Sequence, residues 1–449
     1  MALTRTKTSP NVVMLRAAAK GDWRMVYEAL DSGCNVNAEH RGNSLGTIAM
    51  AQLNGHKRLE ILVEDYGLDI NRPIEGKYSL LSYAKNFENF NYVASKNKRV
   101  QSLLHPENAP NKYPYIYPPE GDVYNGDFLH NPIHTAIKYG FDSRAFDMLR
   151  ALGFDFNLLS PYNKNTMLFP AIKYNNMAAL DKLSRYINVN TPNIYSEVPI
   201  MWACQLGNAE AVSILLEHGA DLSLVSDGYR NRDKYGAAIK TKKFEFKRPL
   251  LAWVKGSTKE RMNIYDLLHG KADFNAATVP HGYTKYMQES FNGDLQCMKA
   301  LYEKHGANPF LADRNGRTAL TWSALSNSYL KFTYNLSIFM ESAERDLGRL
   351  YLNELYSIKK RILSKYAAPL FEYMRIKNIE EAYGPDVFGH MEWPAYMEYY
   401  HPHYTFDTLS EAFMQDLKCI YTSVTNEIER IDSGRTDNLT NAHLYLRRR

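Results

Sequence analysis

A chain of 449 residues with 45% apolar and 23% charged residues has the composition of a folded soluble protein, long enough for two or three ordinary domains or one extended array. Its net charge of +5 is too small to class the whole chain as a nucleic-acid binder. Four widely separated cysteines (Cys34, Cys204, Cys297 and Cys419) include no CxxC pair, which argues against a disulfide framework or a zinc site and for a reducing compartment.

The first residues, MALTRTKTSPNVV, lack the apolar core of a secretory signal, and no apolar run is long enough to span a membrane. The expected location is the cytoplasm, or a host cell reached without a classical signal. Tyrosine is abundant, at 33 residues against 19 phenylalanines. Its apolar ring and polar tip suit wet binding surfaces.

Along the chain one short pattern recurs. Faint versions begin near Val12 (MLRAAAKG), Gly46 (GTIAMAQLNG) and Tyr78 (YSLLSYAKNF). Clearer ones begin at Asn131 (NPIHTAIKYG), Thr166 (TMLFPAIKYN), Val198 (VPIMWACQLG), Arg248 (RPLLAWVKG), Thr284 (TKYMQESFNG) and Thr318 (TALTWSALSN). The spacings are 34, 32, 53, 35, 32, 50, 36 and 34, so the two long ones equal one period of about 33 plus an insertion of roughly 20 residues. A second signature recurs in phase, as LDSGCNVNA at 30–38, VEDYGLDIN at 63–71, LRALGFDFN at 149–157, LLEHGADLS at 215–223, LLHGKADFN at 267–275 and YEKHGANPF at 302–310.

Each unit therefore predicts two helices and a turn. A capping residue and a proline open the first helix, where proline's missing N–H costs nothing. Of Val198, Arg248 and Asn131 at the opening position, only Asn131 has a side chain that can cap. Small residues at Ala136, Ala171 and Ala203 let neighbouring helices approach. Gly21, Gly55, Gly140, Gly207 and Gly293 are expected to end first helices in the left-handed conformation, and Gly33, Gly67, Gly153, Gly219 and Gly306 to end second helices. Asp/Asn-rich turns lead onward. Weak helix signals at 78–105 predict lower local stability there.

This pattern resembles the ankyrin repeat, over about nine units between residues 10 and 328. The resemblance implies an all-α fold, a solenoid of helix-turn-helix repeats with short β-hairpins, followed by a C-terminal helical module. It also implies a protein partner held in the concave groove of the first helices, with the two residues before the helix-ending glycine facing that groove. Those are Lys138-Tyr139, Lys173-Tyr174 and Gln205-Leu206, with Tyr162 and Tyr195 near hairpin tips. Cys204 and Trp202 are expected to pack.

The insertion at 105–127 carries five prolines and four tyrosines, which forbid a regular helix. The insertion at 227–247 holds seven Lys/Arg against three Asp/Glu, with Tyr229, Arg230, Arg232 and Tyr235 as partner candidates. Basic residues among aromatics there allow an acidic protein surface, or nucleic acid held through 229–247 as an alternative.

The repeat array is expected to span 1–329. Residues 330–432 read as a helical module that caps it, with Pro369 breaking or kinking one helix and a last helix over 408–431. Residues 433–449 read as a flexible tail. The chain is read as a non-enzymatic interaction protein, in the style of bacterial effectors that act on host proteins. The alternative is a cysteine-hydrolase-like C-terminal module built on Cys419, His401 and His403, with His390, Asp386 and Asp407 nearby. No cofactor is expected, since no glycine loop cradles phosphate, and His401 with His403 supplies too few ligands for a metal.

Overall fold

A computed structural model describes residues 9–75, 79–96, 131–160, 163–227, 247–326, 328–342, 348–383 and 411–433. The chain forms two compact units, Met1–Lys240 and Thr241–Arg449. The insertion at 105–127, nearly all of that at 227–247, residues 384–410 and the end beyond 433 lie outside the described residues.

In the N-terminal unit helices come in pairs joined by short turns. They are α1 (Pro10–Ala19) with α2 (Trp23–Asp31), α3 (Leu45–Met50) with α4 (Gly55–Glu64), and a 3-10 turn Leu80–Tyr83 with α5 (Phe87–Lys96). Then come α6 (Pro132–Lys138) with α7 (Ser143–Ala151), α8 (Leu168–Lys173) with α9 (Met177–Ser184), and α10 (Pro199–Gln205) with α11 (Ala209–Glu217). One two-stranded antiparallel ribbon, β1 (Glu39–His40) and β2 (Asn43–Ser44), sets Glu39 opposite Ser44.

Capping explains where these helices start. Asn131 accepts from the Ile133 N–H at 2.8 Å, while Val198, as its side chain dictates, makes no cap bond. Asp22, Asp142, Asn176 and Asn208 each accept from a first-turn N–H of the second helix that follows. Each such cap contributes on the order of 1 kcal/mol. Ala136, Ala171, Ala203 and Cys204 are fully buried, so the cysteine fills a small apolar position as expected.

The second signature resolves into one repeated device. In each Asp/Asn-x-Asn/Ser triad the first side chain accepts from the N–H two residues on, as from Asn37 to Asn35, Asn71 to Asp69, Asn157 to Asp155, Asn190 to Asn188 and Ser223 to Asp221. The third residue then accepts from the next triad: Asp69 N–H donates to Asn37 Oδ1 at 2.9 Å, and Asp221 N–H to Asn190 Oδ1 at 2.8 Å. A short amide or carboxylate side chain thus turns the chain, and the amides of Asn37 and Asn190 join repeat to repeat.

Two glycines depart from expectation. At Gly55 the left-handed residue is Asn54, with φ 56°, and Gly55 begins α4. Glycine is needed there because an added Cβ would lie 1.8 Å from the Ala49 carbonyl oxygen. Gly293, with φ −88°, is not left-handed either.

The C-terminal unit opens with a 3-10 turn Leu250–Trp253 and α12 (Thr258–Leu268), then α13 (Lys285–Asn292) and α14 (Leu295–Lys299), which runs into a π turn Ala300–Lys304. After these come α15 (Ala319–Leu325), α16 (Tyr329–Ser342), α17 (Gly348–Tyr383) and α18 (Glu411–Asp432). Tyr366 leaves helical geometry three residues before Pro369, which is the expected kink: the proline ring clashes with the carbonyl four residues back. One apolar core joins Leu320 of α15 and Phe332 and Phe339 of α16 to Tyr351, Leu355 and Ile358 of α17 and Leu417, Ile420 and Val424 of α18. Glu354 of α17 accepts from the Thr318 and Thr321 hydroxyls, each at 2.6 Å, and from their N–H groups at 3.2 Å, so it caps the start of α15. The C-terminal helices thereby pack against α15 and α16.

Candidate partner-binding surface

The three residue pairs singled out by the repeat pattern occupy the same last turn of α6, α8 and α10, helices that pack side by side. Neighbouring packed helices are about 8–10 Å apart, which sets the step of the row. Lys138, Lys173 and Gln205 are exposed; Tyr139 is 41% and Leu206 53% exposed, and Tyr174 is half-buried. The Lys138 ammonium lies 5.8 Å from the Tyr139 ring centre and Lys173 5.4 Å from that of Tyr174. At this separation a cation and a ring attract. Each pair thus offers a charge beside a ring.

Behind the row runs a ladder that the pattern did not disclose. His134 meets Tyr174 edge-on at 5.6 Å, and Phe169 meets Trp202 edge-on at 5.3 Å, so an aromatic residue of one repeat braces that of the next. Trp202 packs as expected, yet it stays half-buried rather than enclosed, and its indole N–H donates to Glu197 Oε2 at 2.9 Å. Glu197 is fully buried, with the same oxygen accepting from Asn193 Nδ2 at 3.0 Å. Asn193 Oδ1 in turn accepts from the Tyr195 and Glu197 N–H groups, which fixes the hairpin tip that carries half-buried Tyr195. Trp202, at a usually apolar position of the first helix, was the available signal for this cluster.

Tyr162, Tyr229, Arg230, Arg232 and Tyr235 lie outside the described residues, as do His401 and His403. Cys419 is half-buried in α18, its sulfur accepts from Gln415 Nε2 at 3.6 Å, and burial and Asp416 push its thiol above the usual cysteine range. A nucleophilic cysteine needs the opposite shift.

The strongest departure from the repeat pattern is in TKYMQESFNG, where Lys285 and Glu289 stand at the proline and alanine positions. Both are buried, and Lys285 Nζ lies 3.0 Å from Glu289 Oε1. Tyr265 donates its hydroxyl to the same oxygen at 2.9 Å, and Arg261 approaches it to 3.7 Å. Burial pulls the Lys285 ammonium below its ordinary range, and Glu289 opposes this. Glu289 also explains Gly293, which has φ −88° and is not left-handed: an added Cβ would fall 1.8 Å from Glu289 Oε2. Lys331 takes over the capping task, donating to the Phe291 and Gly293 carbonyls at 2.8 and 3.3 Å. Ligand atoms of Glu289, Asp294 and Cys297 lie within 4.8 Å of one another, but Arg261 already donates to Cys297 Sγ at 3.4 Å and to Asp294. A fixed guanidinium occupies the place of a metal ion. Among the described residues no helix is long and apolar enough to cross a membrane.

Comparison with known proteins agrees with the repeat geometry. A family model described as ankyrin repeats, in three copies, matches residues 133–226. The chain is 25% identical over 194 residues to ankyrin repeat protein nuc-2 of Neurospora crassa, a match covering 43% of this chain and 16% of that protein. The crystal structure of the human ASB11 ankyrin repeat domain is similar with a TM-score of 0.40 at 17% identity, over 58% of this chain and 99% of that one. The ankyrin repeat protein EF0377 gives a TM-score of 0.35 at 20% identity, over 46% of this chain and 96% of that one. With helix pairs, left-handed turns and triads recurring at the same period, residues 133–226 are identified as ankyrin repeats.

Proposed function

We propose that the chain is an interaction module that holds a partner protein against the row Lys138-Tyr139, Lys173-Tyr174 and Gln205-Leu206. Ankyrin repeats generally mediate protein–protein interaction. The observation that carries the reading is the exposure of Tyr139 and Leu206 at equivalent positions of packed helices, on a ladder of braced aromatics. Rigid tyrosines present apolar area at low entropic cost, which is why they recur among interface hot spots. The helices α17 and α18 serve as the terminal cap of the array.

The test is a quantitative mass-spectrometric comparison of proteins captured by the full chain and by the triple variant Tyr139→Ala, Tyr174→Ala, Leu206→Ala, with circular dichroism as the folding control. Truncating three such anchors should cut retention of the true partner by more than tenfold. An identical captured set from an equally folded variant would overturn the proposal.

A further inference from the structure

In the C-terminal unit a cavity of about 130 Å³ opens between α15, the kink of α17 and α18. Its walls include Ala324, Ile358, Ile362 and Leu417, all buried. Arg361 and Lys365 line it too, exposed and one helical turn apart. They belong to the segment KKRILSK at 359–365, with four cations and no carboxylate. None of the four makes an ion pair among the described residues; Lys359 and Lys365 lie over the rings of Tyr421 and Tyr366 at 5.6 and 4.9 Å. Elsewhere in this unit Arg261, Lys285, Lys304 and Arg317 are each engaged by a carboxylate.

We propose that this cavity is a docking subsite for an acidic peptide of a partner protein, which seats one phenylalanine side chain between α15, α17 and α18 while flanking carboxylates meet Arg361 and Lys365. The volume sets the size of the buried group, because an apolar cavity of about 150 Å³ holds one benzene ring. A lipid tail is too long for it. The cations set the sign of what lies beside that ring, and the exposed turn leaves room for several carboxylates. Single-stranded nucleic acid would need exposed aromatic faces for stacking, whereas these walls are mainly aliphatic. The subsite stands on a different unit from the Lys-Tyr row and does not rest on it.

Fluorescence polarisation with the full chain tests the proposal, using two fluorescein-labelled peptides, DEEFEDE and DEEAEDE. The phenylalanine peptide should bind about tenfold more tightly, the gain expected for burying one ring. The exposed double reversal R361E/K365E should abolish that binding with an unchanged melting temperature. Equal affinity for the two peptides, no measurable binding of either, or binding that survives the reversal would overturn the subsite. Displacement of the peptide by equimolar oligothymidylate would overturn it as well, in favour of a phosphate site.

Discussion

Replacing Glu289 by alanine restores the residue type that the repeat pattern places there, yet it should destabilise the C-terminal unit. The Lys285 side chain is 2% exposed and loses the carboxylate 3.0 Å from its ammonium. What remains are neutral acceptors, the Val254 carbonyl at 2.7 Å and Gln288 Oε1 at 3.2 Å. Removing one partner of a buried pair costs about 3–5 kcal/mol, because the other charge stays buried without compensation. The Tyr265 hydroxyl also loses its acceptor, adding about 1 kcal/mol. A net loss of about 5 kcal/mol is therefore expected from urea unfolding of the full chain, with faster hydrogen exchange over residues 258–299 locating it. The double variant Lys285→Met, Glu289→Ala should recover to within about 1 kcal/mol of the parent, since apolar packing replaces a buried pair at little cost. A single variant that loses less than about 1 kcal/mol, or a double variant as weak as the single, would refute the reasoning.

Four further outcomes follow from the same geometry. His305 stacks on Phe274 at 4.9 Å and sets its Nδ1 3.1 Å from that of His269, with Asp266 and Lys304 beside it; burial holds its imidazole below the usual range, against the pull of Asp266. The unfolded chain then takes up a proton first, so the melting temperature of this unit should fall as pH drops below about 6.5, and less steeply in His305→Phe. Asn190→Ala removes the acceptor of the Asp221 N–H and the donor to the Gly219 carbonyl, and should lower the N-terminal unit's urea stability by about 1 kcal/mol. Cys419, with its raised thiol, should react with iodoacetamide at pH 8 more slowly than free cysteine in a timed mass measurement. Amides of residues 79–96, where a 3-10 turn stands in for the first helix, should exchange faster than those of 198–220.

The period of about 33, the capping role of Asn131, the turn at Gly207 and the kink before Pro369 were all legible in the sequence, because each depends on residues a few positions apart. Local sterics and hydrogen bonds decide them, and the letters carry those directly. The Lys-Tyr pairs were legible as positions for the same reason. Their bracing was not: Tyr174 rests on His134 from the preceding repeat, and Trp202 on Phe169 and Glu197, contacts that exist only once the helices stack. Gly293 shows the limit most clearly. Its place before α14 reads as a left-handed turn, but the Glu289 carboxylate fills the space a Cβ would take, and Lys331, 38 positions away, satisfies its carbonyl. The same holds for the cavity beside Arg361, formed where α15, a kinked α17 and α18 meet. Repeat identity is local chemistry repeated along the chain, whereas charge pairing and cavities are set by which repeats and helices pack together.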